Sequence, residues 1–300
     1  APTDEAAGHH AQRAAQQIPN KNKEFCSWDS NNNNYFGEFY HNKNIDYLYL
    51  YPDVGIGRIP CKDRKEIRVV VNKIIKYENE NSKHKWSDRM VLCGGDDIPN
   101  YRMLVGEYLC NGISDLISDE FEPVKLYASN KKLTIKNIIN EINGGTGFVF
   151  FTGHGNEGMY YTFSPDLKRI GKITTMHNIL SLTNKEKLPI IFLATCATGN
   201  LDYKNKLFPC FAWSLLKNKN GGSVATIAST QMDMSKVEES YFSGSAGIAK
   251  MFFENYKKGR HLSQVLMDAQ KSYIDGIGMD LETLFSFNLF GDPSLKIGGY

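Results

Sequence analysis

Residues 148–152 read Phe-Val-Phe-Phe-Thr and run directly into Gly153-His154-Gly155, while a second apolar stretch, residues 189–195, runs into Cys196. Strands that are apolar along their whole length are typical of parallel sheets covered on both faces. The carboxyl ends of parallel strands lie at one edge of the sheet, and ligands bind in the crevice beyond them. The sequence therefore predicts that His154 and Cys196 lie at the same edge of one sheet.

Other segments repeat this alternation of apolar strands with amphipathic helices. The remaining strands are predicted at 45–50, 90–93, 123–127 and 223–229, and the helices at 63–80, 101–111, 134–143, 209–217, 246–257 and 262–274. In helix 63–80 the apolar residues at helical spacing, expected to face the core, are Ile67, Val70, Val71, Ile74 and Ile75. The pattern indicates an α/β fold with a mostly parallel central sheet and helices on both faces.

Composition excludes several classes of function. The 300 residues carry 35 Lys+Arg against 33 Asp+Glu, a net charge of +2, which gives no support for nucleic-acid binding. No apolar run approaches the roughly 20 residues of a membrane-spanning helix, so membrane insertion is not expected. The first residues lack the pattern of a signal peptide, so an exported protein would have lost its signal before residue 1.

The cysteines do not form a zinc motif. There is no Cys-x-x-Cys and no paired Cys/His spacing among Cys26, Cys61, Cys93, Cys110, Cys196 and Cys210. A metal site built from Cys196, Cys210 and His177 is kept as a minor alternative. No metal is predicted for the main site.

His154 and Cys196 together fit nucleophilic catalysis. A thiol is a good nucleophile only as the thiolate, so it needs a basic neighbour, and an imidazole can also protonate the leaving amine. The main-chain amides of Gly155 and Cys196 can form an oxyanion hole, and Gly199 suits the sharp exit from the strand. The alternatives are a cysteine that only packs in the core and a histidine that only closes a turn.

Two carboxylates occupy the same kind of position. Asp96 and Asp97 follow the predicted strand 90–93, so they belong to the same sheet edge as the thiol and the imidazole. For Asp97 the alternative role is that of a helix N-cap, since a predicted helix follows it.

Four stretches, in order, resemble the gingipain family of cysteine peptidases (peptidase family C25, caspase-fold clan). They are residues 51–60, 152–155, the sequence from Cys196 to Thr230, and residues 288–295. The resemblance implies a caspase-like three-layer sandwich and a catalytic His154/Cys196 dyad. Residues 1–34 are polar and without periodicity, which predicts an N-terminal arm or a processing or vector remnant, and the resemblance divides the rest into a remnant of an N-terminal subdomain (35–85) and a catalytic domain (86–300).

The resemblance further implies a pocket that selects the side chain on the amino side of the cleaved bond, called P1. Its walls would be Thr152, Ala194 and the segment Gln231-Met232-Asp233, with Ser235 near the place of a tryptophan found in arginine-selective members. Asp97 matches the aspartate that holds the substrate guanidinium in those members, and Asp233 lies near the acid of lysine-selective ones. The family also has an acidic residue behind the histidine, for which Asp96 is the stand-in.

The function predicted on this basis is a cysteine endopeptidase that cleaves after Arg or Lys and acts on proteins or peptides. The alternatives are the same dyad with an Asn or Asp preference, as in legumain-type relatives, and a non-catalytic scaffold that kept the fold. The resemblance also implies a zymogen that is secreted or at the cell surface and needs no catalytic cofactor. It implies a structural calcium ion, for which Asp29-Ser30-Asn31 offers oxygens; the oligomeric state is left open.

Overall fold

The computed structural model describes residues 28–300 except 41–42, 45, 47, 81–83, 99–100, 176, 203–207 and 239–240. The strands are β1 (Phe39–Tyr40), β2 (Lys43–Asn44), β3 (Arg89–Gly94), β4 (Glu122–Tyr127), β5 (Phe148–Thr152), β6 (His154–Asn156), β7 (Met159–Phe163), β8 (Arg169–Thr174), β9 (Ile190–Ala194), β10 (Ala225–Ser229), β11 (Lys236–Val237), β12 (Phe242–Ser243) and β13 (Phe287–Phe290). The helices are α1 (Arg64–Glu80), α2 (Val105–Leu116), α3 (Ile135–Gly144), α4 (Phe211–Lys217), α5 (Gly244–Glu254), α6 (Leu262–Gly276) and α7 (Leu281–Ser286).

A six-stranded sheet in the order β13-β10-β9-β5-β3-β4 forms the centre of the fold. Its neighbouring strands pair in parallel, except that β13 runs antiparallel to β10. The chain passes from β3 outward to β4 and then returns to β5 on the other side of β3. This reversal opens a crevice beyond the carboxyl ends of β3 and β5, which is where α/β sheets bind ligands.

Helices cover both faces of this sheet. On one face Phe148, Phe150 and Phe192 pack against Phe252 and Phe253 of α5, and α2 and α6 lie beside α5. The opposite face carries α3 and α4, and α1 packs against α4. The predicted α/β fold, with a mostly parallel sheet between two helical layers, is confirmed.

Most predicted elements are found within a few residues, and two are not where they were expected. The helix predicted at 101–111 begins later and runs from Val105 to Leu116. The strand predicted at 45–50 is wrong for the described residues 46 and 48–50, which lie outside any strand. A buried side chain accounts for this, because the Asp46 carboxylate accepts hydrogen bonds from the amides of Ser30 and Glu38 and thereby closes a loop. No helix in the described part of the chain is long and apolar enough to cross a membrane.

Helix α1 presents a narrower face to the core than its sequence predicts. Val70 and Ile74 are buried as expected, but Ile67, Val71 and Ile75 are 48%, 42% and 52% exposed. These three residues lie on a stripe about 100° around the helix from Val70. The core-facing stripe is completed instead by side chains that also carry polar atoms, namely Tyr77 and Lys73.

The buried amine of Lys73 ties α1 to the rest of the domain. Its Nζ donates to the main-chain oxygens of Leu215 (3.2 Å), Leu216 (2.6 Å) and Ser223 (3.2 Å). The first two oxygens belong to α4, whose last carbonyls have no partner within the helix. Burial lowers the pKa of Lys73 to about 7, because removing the charged amine from water costs free energy. The hydrogen bonds to the three carbonyl oxygens offset this cost.

We expect Lys73→Met to lower the free energy of unfolding by about 2–4 kcal/mol, because it removes a donor from three buried carbonyl groups, of which that of Leu215 still accepts from the amide of Ser223. Urea unfolding measures the change. The matched control is Lys76→Met on the same helix, where the ammonium is 47% exposed and pairs with Glu186 at the surface. That change should cost less than about 1 kcal/mol. Equal effects at both positions would contradict the assigned role of Lys73.

Candidate active site

The pairing of β5 with β9 places the predicted dyad residues at one edge of the sheet. Thr152 lies opposite Ala194 in this parallel pair, and His154 and Cys196 each follow two residues later. Gly155 packs directly against the second segment, since a Cβ at this position would lie 2.9 Å from the main-chain oxygen of Cys196. The two segments therefore leave the sheet side by side.

Cys196 is half-buried, and its sulfur contacts the main chain of a neighbouring loop. Sγ lies 3.2 Å from the carbonyl oxygen of Asp233 and 3.5 Å from its amide nitrogen. Burial raises the pKa of the Cys196 thiol above its usual value, and the carbonyl accepts its proton as a hydrogen bond. In this resting arrangement the sulfur is held as a thiol.

The sharp turn after the nucleophile is made by Ala197 and not by the expected Gly199. Ala197 has a φ of +47°, a left-handed conformation that is uncommon outside glycine, and its amide donates to the oxygen of Gln231 at 2.7 Å. Gly199 is needed for space instead, because a Cβ there would lie 2.8 Å from the Phe290 ring. A non-glycine residue held in this conformation is a strained position of the kind found at active sites.

His154 is supported by a small antiparallel sheet that the sequence reasoning did not foresee. The strands β6, β7 and β8 form this sheet, and His154 begins β6. Its imidazole stacks on the ring of Tyr161 and meets Phe163 edge-on, both with centroids 5.4 Å away. Its Nε2 lies 2.8 Å from the main-chain oxygen of Asp97.

The Asp97 side chain points into the crevice between β3 and β5. Its two carboxylate oxygens accept hydrogen bonds from the hydroxyls of Thr152 and Thr162, each at 2.7 Å. The residue as a whole is half-buried, but burial of the carboxylate raises its pKa to about 6. The alternative role as an N-cap is not found, since the residue that precedes α2 is Leu104. The carboxylate instead lies close beside Gly106, in the first turn of α2.

Asp96 lies next to this site but does not make the contact expected of it. The group hydrogen-bonded to His154 is the main-chain oxygen of Asp97, whereas the Asp96 carboxylate accepts from the amide of Ile98. Asp96 is buried, and its Oδ1 has no hydrogen-bond partner among the described residues. Burial raises its pKa, and the nearby Glu107 adds to the rise.

The second predicted substrate carboxylate, Asp233, is largely engaged by the protein itself. Its Oδ2 accepts from the amide of Ser245, at the start of α5, at 2.7 Å, and its Oδ1 accepts from the hydroxyl of Thr283 at 3.1 Å. Burial raises the pKa of Asp233. The same residue therefore anchors a helix with its side chain and contacts the Cys196 sulfur with its main chain.

The other predicted wall residues surround the same crevice. Thr152 and Ala194 are buried partners at the ends of β5 and β9. Gln231 has an exposed side chain, and its main-chain oxygen holds the turn at Ala197. On either side of Asp233, Met232 and Met234 are exposed to solvent.

The residues suggested for calcium lie in a turn held by side-chain carboxylates. Both carboxylate oxygens of Asp29 accept main-chain amides, from Asn33 and Asn34, and the nearby Asp46 oxygens are likewise engaged by amides. These bonds form a hydrogen-bonded turn in which each carboxylate oxygen keeps a further lone pair. The calcium ion therefore stays a prediction of the resemblance, and no step depends on it.

The alternative cysteine and histidine metal site is not found. Among the described residues no group of three or more His, Cys, Asp or Glu side chains could hold a metal ion. Cys93, Cys110 and Cys210 are buried free thiols, as expected for packing residues, and Cys61 is half-buried. Cys26 lies outside the described residues.

A family model and several known proteins match this chain. The model described as "Peptidase family C25" matches residues 4–298. Gingipain R2 of Porphyromonas gingivalis is 29% identical over 263 residues, which cover 82% of this chain and 33% of the relative. Lys-gingipain of the same organism is 23% identical over 181 residues, or 60% of this chain and 10% of the relative.

Two solved structures share the fold. The crystal structure of the Arg-specific cysteine proteinase gingipain R (RgpB) matches with a TM-score of 0.65 and 27% identity, covering 83% of this chain and 56% of that one. The complex of the P. gingivalis RgpB pro- and mature domains matches equally well and covers 82% and 57%. The predicted caspase-like fold class is thereby confirmed. The chain spans a third or less of the length of these curated relatives.

Proposed function

The chain belongs to peptidase family C25, and from that premise we propose that it is a cysteine endopeptidase that cleaves peptide bonds after a basic residue. The register of β5 against β9 carries this proposal, because it sets His154 and Cys196 two residues beyond a paired position on adjacent strands. A cysteine that only packs in the core, or a histidine that only closes a turn, would not have to lie at matching positions on adjacent strands. A scaffold without activity would not require a thiol and an imidazole at these matching positions.

In the proposed reaction His154 removes the proton of the Cys196 thiol, and the sulfur attacks the carbonyl carbon of the peptide bond. The main-chain amides of Gly155 and Cys196 stabilise the negative oxygen that forms. The C–N bond then breaks as His154 returns its proton to the leaving amine, which leaves a thioester on Cys196. A water molecule, deprotonated by His154, attacks the thioester and releases the acid and the free enzyme.

The preference for a basic P1 residue rests on the Asp97 carboxylate. It is buried beside Thr152, a predicted wall of the pocket, and no Lys or Arg in the described part of the chain forms an ion pair with it. A buried carboxylate without a cation is costly, and a substrate ammonium or guanidinium would offset that cost. An Asn or Asp residue at P1 would not, which favours the basic preference over the legumain-like alternative. The RgpB relative is an Arg-specific proteinase, which points the same way.

A panel of peptide substrates that differ only at P1 tests this proposal. Arg, Lys, citrulline, Asn and Asp at P1 cover the main reading and its alternative, with citrulline as the neutral partner of Arg. We expect cleavage after Arg or Lys and little after citrulline, Asn or Asp. Cleavage after Asn alone would replace the basic preference, and no cleavage of any substrate by the full protein would remove the peptidase proposal.

The Asp97 carboxylate gives the selectivity a defined pH dependence. Its pKa is raised to about 6, so below this pH it is mostly neutral and loses its attraction for a cation. We expect the ratio of kcat/KM for the Arg substrate to that for the citrulline substrate to fall by up to about tenfold per pH unit below pH 6. As the pH rises, the ratio should become constant at about one pH unit above the pKa of Asp97. Titration of the dyad affects both substrates equally and therefore cancels in the ratio. A ratio independent of pH would contradict the assignment of Asp97 as the group that binds the P1 cation.

The same premise extends to the setting in which the protein works. We propose protein or peptide substrates, synthesis as a zymogen, and a secreted or cell-surface location. The support for a zymogen is that one solved relative is a complex of pro- and mature domains. The division into residues 1–34, 35–85 and 86–300 also stays a prediction.

A further inference from the structure

The hydrogen bond between His154 Nε2 and the main-chain oxygen of Asp97, at 2.8 Å, has a chemical consequence. A carbonyl oxygen can only accept, so Nε2 of the neutral imidazole must carry the hydrogen. The other nitrogen, Nδ1, then holds the lone pair and is the atom able to take the thiol proton.

We propose that the main-chain carbonyl of Asp97, and not the carboxylate of Asp96, is the third group of the catalytic set. It fixes the tautomer and the orientation of His154 so that Nδ1 acts as the base toward Cys196. This inference rests on the proposed peptidase function. It places a group without a full charge where the resemblance implies an acid.

Two threonines hold that carbonyl in place. The carboxylate of the same residue is bonded to Thr152 on β5 and to Thr162 on β7, and the amide of Asp96 donates to the oxygen of Phe163 at 2.8 Å. The loop after β3 is therefore fastened to both strands next to His154. Strand β7 also supplies the two rings that flank the imidazole, so one element fixes both partners of the hydrogen bond. Thr162 is a positioning residue in this arrangement.

A carbonyl partner also agrees with the state of the thiol. A carboxylate behind an imidazole stabilises its charged form, and a neutral carbonyl does so less. The resting Cys196 sulfur is correspondingly held as a thiol against Asp233, with a raised pKa. The transfer of the proton to His154 is then left to the complex with substrate.

The test uses three variants of the full chain. Thr162→Val removes the hydroxyl at nearly constant volume, and Thr162→Ser restores it. Thr146→Val is the matched control, because Thr146 is equally buried and its hydroxyl donates to the oxygens of Arg89 and Phe148 at the far end of β5. We expect Thr162→Val to lower kcat about 10- to 100-fold, Thr162→Ser to recover most of it, and Thr146→Val to leave it unchanged.

The tautomer supplies a readout that does not depend on turnover. Long-range ¹H–¹⁵N spectra of the Cys196→Ala protein, with His154→Gln to identify the signal, report which ring nitrogen carries the hydrogen. We expect Nε2–H when position 162 keeps its hydroxyl, as in the parent protein and in Thr162→Ser, and a mixture with Nδ1–H in Thr162→Val. Nδ1–H in the parent protein, or equal behaviour of Thr162→Val and Thr146→Val in both measurements, would overturn the inference. A protein with the expected tautomer but no activity toward any P1 residue would sink only the proposed function.

Discussion

Cys196→Ala is expected to reduce kcat toward an Arg substrate by roughly 10⁵-fold or more, because the thioester intermediate cannot form without the sulfur. The same variant should no longer be alkylated by a peptidyl-arginine chloromethylketone, which mass spectrometry detects as a missing adduct. Substrate binding should persist, since the crevice with Asp97 does not depend on the thiol.

The matched control for this variant is Cys61→Ala. Cys61 is the other half-buried free thiol of the described residues, and its pKa is likewise raised by burial. We expect Cys61→Ala to react with the chloromethylketone as the parent protein does. Labelling that survives Cys196→Ala and disappears in Cys61→Ala would show that the nucleophile had been assigned to the wrong residue and end the dyad hypothesis.

Asp97→Asn is expected to lower kcat/KM for the Arg substrate by about 30- to 5,000-fold, which corresponds to the roughly 2–5 kcal/mol typical of truncating one partner of a buried charge pair. The asparagine keeps the size of the side chain, its Oδ1 can accept from one threonine hydroxyl, and its Nδ2 can donate to the other. Cleavage of the citrulline substrate should therefore change far less, and selectivity for Arg over citrulline should largely disappear. The two substrates measured on one enzyme preparation give the comparison.

The substitution Asp233→Asn distinguishes which of the two carboxylates, Asp97 or Asp233, binds the P1 cation. The Asp233 oxygens are bonded to the amide of Ser245 and the hydroxyl of Thr283, so we expect Asp233→Asn to affect the stability of the start of α5. If Asp233→Asn removes the selectivity for Arg while Asp97→Asn keeps it, the P1 cation binds at Asp233 and the assignment to Asp97 fails.

The central sheet was predictable, except for its edge strand β13, because its inner strands carry a strong local signal. Residues 148–152 and 189–195 are apolar almost without interruption, and a strand buried on both faces needs that composition. The signal weakens where burial is partial. Helix α1 shows this, since an apolar residue such as Val71 fits the helical period equally well whether it faces the core or solvent.

The site was predictable in part for a topological reason. Counting from strand ends brings His154, Cys196 and Asp97 to one edge, and the structure places all three there. The acceptor of His154 could not be identified in that way, because a main-chain oxygen is present at every residue and has no sequence signal. Thr162 could not be identified either, because the residues 159–163, Met-Tyr-Tyr-Thr-Phe, do not alternate between apolar and polar, and only the burial of Tyr160 and Thr162 in β7 shows that these two face inward.

The register of β5 against β9 also bears on how distant relatives should be compared. Because each reactive group is fixed by its distance from the end of its own strand, the number of residues between His154 and Cys196 carries no geometric information. Insertions between β8 and β9 would lengthen that interval and leave both groups where they are. An alignment that penalises such gaps will underrate true homologues, whereas one anchored on the last paired residues, Thr152 and Ala194, will not.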